Sequence, residues 1–332
     1  MWKVIGQDRV VSLLQRSLER GSVAHAYLVV GPPHVGKMTL ALNLAQALNC
    51  QGDAPPCSLC DACQRIDSGR HADVQIIGLD SGNLAEIGID QIRQMQHSSS
   101  LPPFEGKYKV FIIDQAELMS IEAANCLLKT LEEPAAGVVF ILLATSGGVL
   151  PATVVSRCQQ LELSPLPTSR VEDVLSQRWG VEQPRAGLLA RLCHGCLGWA
   201  ISAAFDERLL KLRAERLEWL LDILNGDYEQ RFSYVTQLVA WFGQSRRLVQ
   251  EILDLWLDWW RDLLLVKLGS GGTITNIDHE AMLVNVAGGY RLGQIRSVIN
   301  GIQTTGGQLR QNANPRLVFE VLMLSIPVGS GG

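Results

Sequence analysis

The chain has 332 residues, of which 47% are hydrophobic and 19% charged, and its formal net charge is −4. That length leaves room for two or three domains with cores of their own. The negative balance excludes a protein that coats nucleic acid through bulk positive charge, and the opening Met1-Trp-Lys-Val-Ile-Gly-Gln7 lacks the apolar core of a secretory signal.

Up to about residue 165, short apolar runs alternate with helical patterns. Helices are expected at Gln7–Arg20, Lys37–Leu48, Ile89–His97 and Ser120–Leu131, and strands at Tyr27–Val30, Val74–Leu79, Lys109–Ile113, Val138–Leu143 and Gln160–Leu163. This alternation implies a parallel sheet with helices on both faces. The first strand runs into Gly31-Pro-Pro-His-Val-Gly36-Lys37 and then into a helix-forming run. In that context backbone N–H groups and a helix N-terminus cradle phosphates while the lysine reaches the β/γ oxygens. The next residue is ordinarily Ser or Thr, whose hydroxyl holds Mg²⁺; here it is Met38. Thr39 is adjacent, but one step along a helix turns a side chain by about 100°, away from the metal. The third strand ends in Asp114-Gln115. Asp114 is a candidate metal ligand, whereas Gln115 stands where a carboxylate would polarise the attacking water. Gln carries no negative charge and takes no proton. The nucleotide pocket is recognisable, and its hydrolytic chemistry is expected to be disabled. ATP or ADP binding through Gly31, Gly36 and Lys37 stays open, as does the reading of Lys37 as a relic.

Four of the eight cysteines fall in the run Cys50-x6-Cys57-x2-Cys60-x2-Cys63. Without an export signal, clustered thiols point to metal rather than to disulfides. Four thiolates suit a tetrahedral structural Zn²⁺ with no open position. An iron–sulfur cluster is the rival, although such sites usually add a further Cys followed by Pro, and Gln64-Arg-Ile-Asp67 follows here. Cys193-His-Gly-Cys196 is a lone CxxC in an apolar helical pattern and reads as core; Cys126 and Cys158 read as structural. His71-Ala-Asp73 precedes a strand and reads as a turn former. Lys129 and Glu132-Glu133 read as residues that cap and orient a helix.

Ser164-Pro-Leu-Pro-Thr168 breaks the pattern, since two prolines continue neither strand nor helix. The expected domains are residues 1–165, carrying the metal module at about 50–63, then a small helical unit at 166–205 and a helical domain at 206–328. Residues 329–332 form a tail. The last domain contains Trp219, Trp241, Trp256, Trp259 and Trp260 at helical spacing, which reads as core or subunit interface. Its most apolar stretch, Leu248 to Leu268, carries Glu251, Asp254, Asp258, Arg261, Asp262 and Lys267. That charge density reads as a bundle helix and not as a membrane span.

Several signatures now stand in one order. Val4-Ile-Gly-Gln7 precedes His25-Ala-Tyr-Leu28 and the phosphate loop; the cysteine cluster and Asp114-Gln115 follow. Then come Asn125-Cys-Leu-Leu-Lys-Thr-Leu-Glu-Glu-Pro134 and Thr153-Val-Val-Ser-Arg-Cys158, and Gln311-Asn-Ala-Asn-Pro-Arg-Leu317 lies near the end. Together they resemble the clamp-loader branch of the AAA+ ATPases, as found in bacterial DNA polymerase III. The resemblance implies an α/β domain followed by all-α domains. These are a RecA-like parallel five-stranded sheet domain with an inserted zinc module, a helical lid and a helical collar. It implies that Arg157 is a finger reaching a neighbour's ATP, where a planar guanidinium of permanent charge stabilises phosphoryl oxygens. It puts Thr145 at a sensor position. Motor subunits of this branch carry Lys-Thr/Ser, Asp-Glu and a lid arginine where this chain has Met38, Gln115 and Gly198.

Those losses point to a non-motor stator that lends Arg157 to an adjacent ATPase and helps load the sliding clamp onto primed DNA. It would not be an ATPase by itself but a part of the polymerase holoenzyme. Implied partners are the tau/gamma and delta subunits of a hetero-pentamer, with clamp and primer-template DNA met through the complex and no membrane contact. Implied location is the cytoplasmic, nucleoid-associated replisome. The alternative is an active AAA+ ATPase, such as a motor subunit or a Holliday-junction helicase. A zinc-stabilised adaptor unrelated to replication is a third reading, but it leaves Ser-Arg-Cys unexplained.

Overall fold

The computed structural model describes residues 1–79 and 86–327. The tail expected at 329–332, and residue 328 before it, lie outside the described residues. Two compact units emerge: residues 1–167 with 195–199, and residues 168–194 with 200 onward.

Unit 1 is built on five strands, β1 (Ala26–Val30), β2 (Val74–Ile77), β3 (Lys109–Ile113), β4 (Val138–Ala144) and β5 (Gln159–Glu162). They form one sheet in the order β2-β3-β4-β1-β5, and every pairing is parallel. Its helices are α1 (Asp8–Glu19), α2 (Lys37–Asn49), α3 (Asp61–Asp67), α4 (Ile89–Ser99), α5 (Ile121–Glu132) and α6 (Ala152–Val155). Central strands of a parallel sheet are covered on both faces and therefore read as continuous apolar runs. Ala26, Leu28 and Val30 of β1 accordingly join Phe111, Ile113, Phe140 and Leu142 beneath α4 and α5. Tyr27 and Val29 point the other way, with Val110, Ile112, Val139 and Ile141 beneath α1 and α2. The expected helices and strands are present, with ends that move by a residue or two. β2 stops at Ile77, two short of Leu79, because its ladder with β3 ends at Ile77↔Ile113. The short helices α3 and α6, of seven and four residues, escape periodicity because neither completes enough turns to show one.

The turn formed by His71-Ala-Asp73 is held by the Asp73 carboxylate, which accepts from the N–H groups of Phe104, Glu105 and Gly106 at 2.7, 2.8 and 2.7 Å. Burial opposes ionisation of Asp73, but these three donors hold its carboxyl below the usual range.

Unit 2 is helical: α7 (Thr168–Trp179), α8 (Gln183–Leu192), most of α9 (Leu197–Phe205), α10 (Glu207–Asn225), α11 (Tyr228–Gln244), α12 (Arg246–Lys267), α13 (Glu280–Gly288), α14 (Leu292–Arg310) and α15 (Pro315–Ser325). α7 packs on α8, α12 on α13 and α14, and α11 on α15. Trp256, Trp259 and Trp260 are fully buried in this core, while Trp219 and Trp241 stack at 5.0 Å beside it. No helix among the described residues is long and apolar enough to cross a membrane.

One buried cation organises the bundle. Arg231 of α11 is completely buried, and its guanidinium donates to the carbonyls of Ile223 and Leu224 at the end of α10 and of Met323, Ile326 and Pro327 at the end of α15. Helix C-termini carry partial negative charge and unpaired carbonyls, so two of them supply the counter-charge that a carboxylate would otherwise give. Arg231→Met is therefore expected to lower stability by about 2–4 kcal/mol, because several buried carbonyls lose their donor at once. Urea unfolding followed by tryptophan emission reads this directly; a variant as stable as the parent would show that other donors satisfy those carbonyls.

Candidate functional site

The phosphate loop starts where β1 leaves the sheet. The Gly31 N–H donates to the Ala144 carbonyl at 3.2 Å, and the Leu163 N–H donates to the Val30 carbonyl at 2.8 Å. Gly31 has φ +153°, and a Cβ there would lie 2.6 Å from the Leu163 carbonyl oxygen. Gly36, at φ +109°, is the residue from which α2 begins. Both positions need glycine, the first for close approach and the second for its left-handed backbone.

The Lys37 ammonium turns back on its own loop. Nζ donates to the Gly31 carbonyl at 2.6 Å and to the Pro32 carbonyl at 2.9 Å. Burial pulls its pKa below the usual lysine value, against the opposing effect of the Glu117 and Asp114 carboxylates. Met38 packs against the core between the sheet and α2, which is where an apolar chain at this position goes. Asp114 closes β3, its N–H donating to the Ile77 carbonyl at 2.8 Å. Its Oδ1 accepts from the Gln115 N–H at 3.0 Å. Gln115 sits at φ +51° and is exposed to solvent. Thr145, at the end of β4, is also exposed, and its N–H donates to Glu117 Oε1 at 3.2 Å. The structure thus gathers Gly31, Gly36, Lys37 and Asp114 at the C-terminal ends of β1 and β3, with Thr39 one residue along the first turn of α2.

Two members of this site are not evident from motif reading. Glu117 lies three residues after Asp114, tethers Thr145, and has a second oxygen that is buried without a partner. An acid just beyond Asp114-Gln115 is visible in the sequence, but only the turn at Ala116–Leu118 aims it at the loop. The other is the backbone of Gly198, whose N–H donates to the His34 carbonyl at 2.9 Å. A Cβ at Gly198 would meet that carbonyl oxygen at 2.7 Å. Cys196, half-buried, is held above the usual thiol value by burial, against the opposing Lys37 charge. Cys193 is buried and donates to the Ala190 carbonyl at 3.4 Å.

The Ser-Arg-Cys segment follows the four-residue helix α6. Cys158 packs against the core and burial pushes its thiol up to about 11. Ser156 Oγ donates to the Thr153 carbonyl at 3.2 Å. Between these two anchors Arg157 extends outward, a third of its side chain exposed. Nη1 donates to the Thr153 carbonyl at 2.7 Å and Nη2 to Glu132 Oε1 at 2.5 Å.

Cys50, Cys57, Cys60 and Cys63 converge, all four sulfurs lying within 4.8 Å of one another. A tetrahedron with metal–sulfur bonds of about 2.3 Å has edges of about 3.8 Å, and Cys57 and Cys63 lie 4.0 Å apart. Cys50 Sγ accepts the N–H groups of Gly52 and Cys57, and Cys57 Sγ those of Cys60 and Leu59. The amides of Cys60 and then Leu59 favour the Cys57 thiolate and lower its pKa to about 6. These four sulfurs can hold a metal ion such as zinc. The module is fixed to α2 by buried Gln46, whose Nε2 donates to the Cys63 carbonyl at 2.9 Å.

The family described as DNA polymerase III, delta subunit, matches residues 6–167. The tau subunit of DNA polymerase III from Escherichia coli (strain K12) is 33% identical over 277 residues, covering 80% of this chain and 42% of that protein. The delta′ subunit from Bacillus subtilis (strain 168) is 29% identical over 331 residues and 99% of each chain. The tau subunit of the same bacterium is 27% identical over 345 residues, covering 97% of this chain and 60% of that protein. This chain spans less than two thirds of the length of those tau subunits. The family match spans the phosphate loop and the segment leading to Arg157, and this chain is similar to the delta′ and tau subunits of DNA polymerase III.

Proposed function

We propose that this chain is a non-motor subunit of the replicative clamp loader, which leaves its own phosphate loop idle and lends Arg157 to ATP bound by a neighbour. The observation that carries this reading is the state of the loop. Met38, where a hydroxyl would hold metal, faces the core, and Gln115, where a carboxylate would polarise water, faces solvent. The Gly198 backbone seals the His34 carbonyl at the position where a motor subunit would have an arginine. Each change removes a group that handles phosphate, metal or water, whereas Arg157 stays accessible. A guanidinium supplied in trans stabilises charge on the transferring phosphoryl oxygens.

In this reading, residues 166–205 act as the lid and 206–328 as the collar that joins tau/gamma and delta subunits in a hetero-pentamer. The sliding clamp and primer-template DNA are met through that assembly at the nucleoid. The four thiolates hold a structural Zn²⁺, which fastens the inserted module to α2 and takes no part in chemistry.

Three outcomes follow. The isolated chain should show no DNA-stimulated ATP turnover; turnover at the rate of a tau-type subunit, abolished by Lys37→Ala, would favour an active motor instead. Metal analysis should find one Zn²⁺ per chain, and chelation should lower the melting temperature, since structural thiolate sites contribute folding energy. Iron in the purified protein would replace zinc with a cluster. Arg157→Ala should leave assembly with tau/gamma and delta intact while slowing ATP hydrolysis and clamp loading by the complex. Fingers in trans are worth ~10³-fold or more at one site, but a complex with several sites should lose only part of its rate. An Arg157→Ala complex with parental rates would remove the finger from the reading.

A further inference from the structure

The C-terminal turn of α5 is an unfavourable place for a carboxylate, because the helix end is itself partially negative. Glu132 is the last residue of α5, and its Oε1 accepts from Arg157 Nη2 across 25 positions of chain. The two residues stand on unequal supports. α5 is anchored by the Ser120 cap and by fully buried Leu127, with Leu131 almost as deep. It is further held by Gln96, whose Nε2 donates to the Cys126 carbonyl and to Thr130 Oγ1, both at 2.7 Å. Arg157 follows a helix of four residues, and its other hydrogen bonds, to the Thr153 carbonyl and Ser156 Oγ, stay within its own segment. Glu132 is therefore the side chain that ties the guanidinium to a rigid element of the sheet domain.

We infer that Glu132 is a positioning residue for Arg157, holding the guanidinium plane at the rim in the orientation from which it meets a neighbour's phosphates. This rests on the reading of Arg157 as a finger and deepens it. The guanidinium has five N–H donors; the contacts to Thr153, Ser156 and Glu132 use Nη1 and one hydrogen of Nη2. Nε–H and the second Nη2 hydrogen remain for phosphate oxygens. Arginine loses rotamer freedom when it is fixed on a phosphate. A tether formed beforehand removes part of that loss, which is the usual benefit of preorganisation. The pair is exposed, so its worth is bounded: couplings of this type reach ~1 kcal/mol, about fivefold in rate.

The test uses the assembled complex with its organism's tau/gamma and delta subunits, and the Arg157→Ala complex defines the Arg157-independent rate. Glu132→Ala should lower the Arg157-dependent part of ATP hydrolysis about three- to fivefold in kcat, with KM for ATP little changed. Glu132→Gln keeps an acceptor for Nη2 and should stay within about twofold of the parent. In the Arg157→Ala background, Glu132→Ala should have no further effect. If that double variant loses a further three- to fivefold, Glu132 acts on something other than Arg157 and the inference falls. It falls equally if Glu132→Ala leaves the rate unchanged while Arg157→Ala lowers it, or if Glu132→Gln is as slow as Glu132→Ala. Should Arg157→Ala itself leave the rate unchanged, the finger reading fails first and the positioning role with it.

Discussion

Everything in unit 1 depends on the placement of β1 between β4 and β5. The ladders Ala26↔Phe140 through Val30↔Ala144 and Tyr27↔Gln159 through Val30↔Glu162 bury every residue of β1 on both faces. Because all strands run parallel, their C-terminal ends finish along one edge, the place where open α/β sheets bind ligands. β1 delivers the phosphate loop there, β3 delivers Asp114 and β4 delivers Thr145. The last ladder bonds, from Gly31 to Ala144 and from Leu163 to Val30, fix the start of the loop on one side and the end of β1 on the other. A side chain at Gly31 would collide with the Leu163 backbone, so the loop's geometry follows from the sheet.

Within that frame the loop has an internal electrostatic solution. A cation that would ordinarily meet phosphate oxygens meets the Gly31 and Pro32 carbonyls, with Glu117 and Asp114 contributing negative potential nearby. Gln115, which carries no negative charge, follows Asp114, and the Gly198 N–H donates to the His34 carbonyl. Under the proposed reading such a site costs the complex nothing, since the useful charge of the chain lies at Arg157. There the division of labour is plain in three consecutive residues. Cys158 packs inward as a neutral thiol, Ser156 caps the short helix through the Thr153 carbonyl, and Arg157 is left to project.

The helical unit solves a different problem. The helices of this unit expose many terminal carbonyls, and Arg231 satisfies five of them from the interior. Asp262 does the complementary task for donors, accepting from the N–H groups of Thr275 and Asn276 and from Asn276 Nδ2. Both groups are fully buried; Arg231 stands on backbone carbonyls, whereas Asp262 stands on backbone and amide donors with the Arg261 guanidinium 4.0 Å away.

The sequence by itself determined the features whose physics is local. Apolar runs of five to seven residues marked the central strands β1, β3 and β4, the helical period marked the bundle, and the spacing of Cys50, Cys57, Cys60 and Cys63 marked a set of thiols that could hold a metal. Gly31 and Gly36 with Lys37 marked the loop, and Met38 and Gln115 marked what it lacks. Tertiary structure alone decided the encounters between distant segments. Glu117 aimed at Thr145 and the loop, Gly198 seated on His34, Arg231 collecting two helix ends and Glu132 reaching Arg157 leave no periodic trace. Each is a hydrogen bond between groups that only the packed core brings within about 3 Å. A chain can show which groups it carries and how they repeat, but hydrogen bonds across long separations exist only once burial of the apolar faces has set the distances.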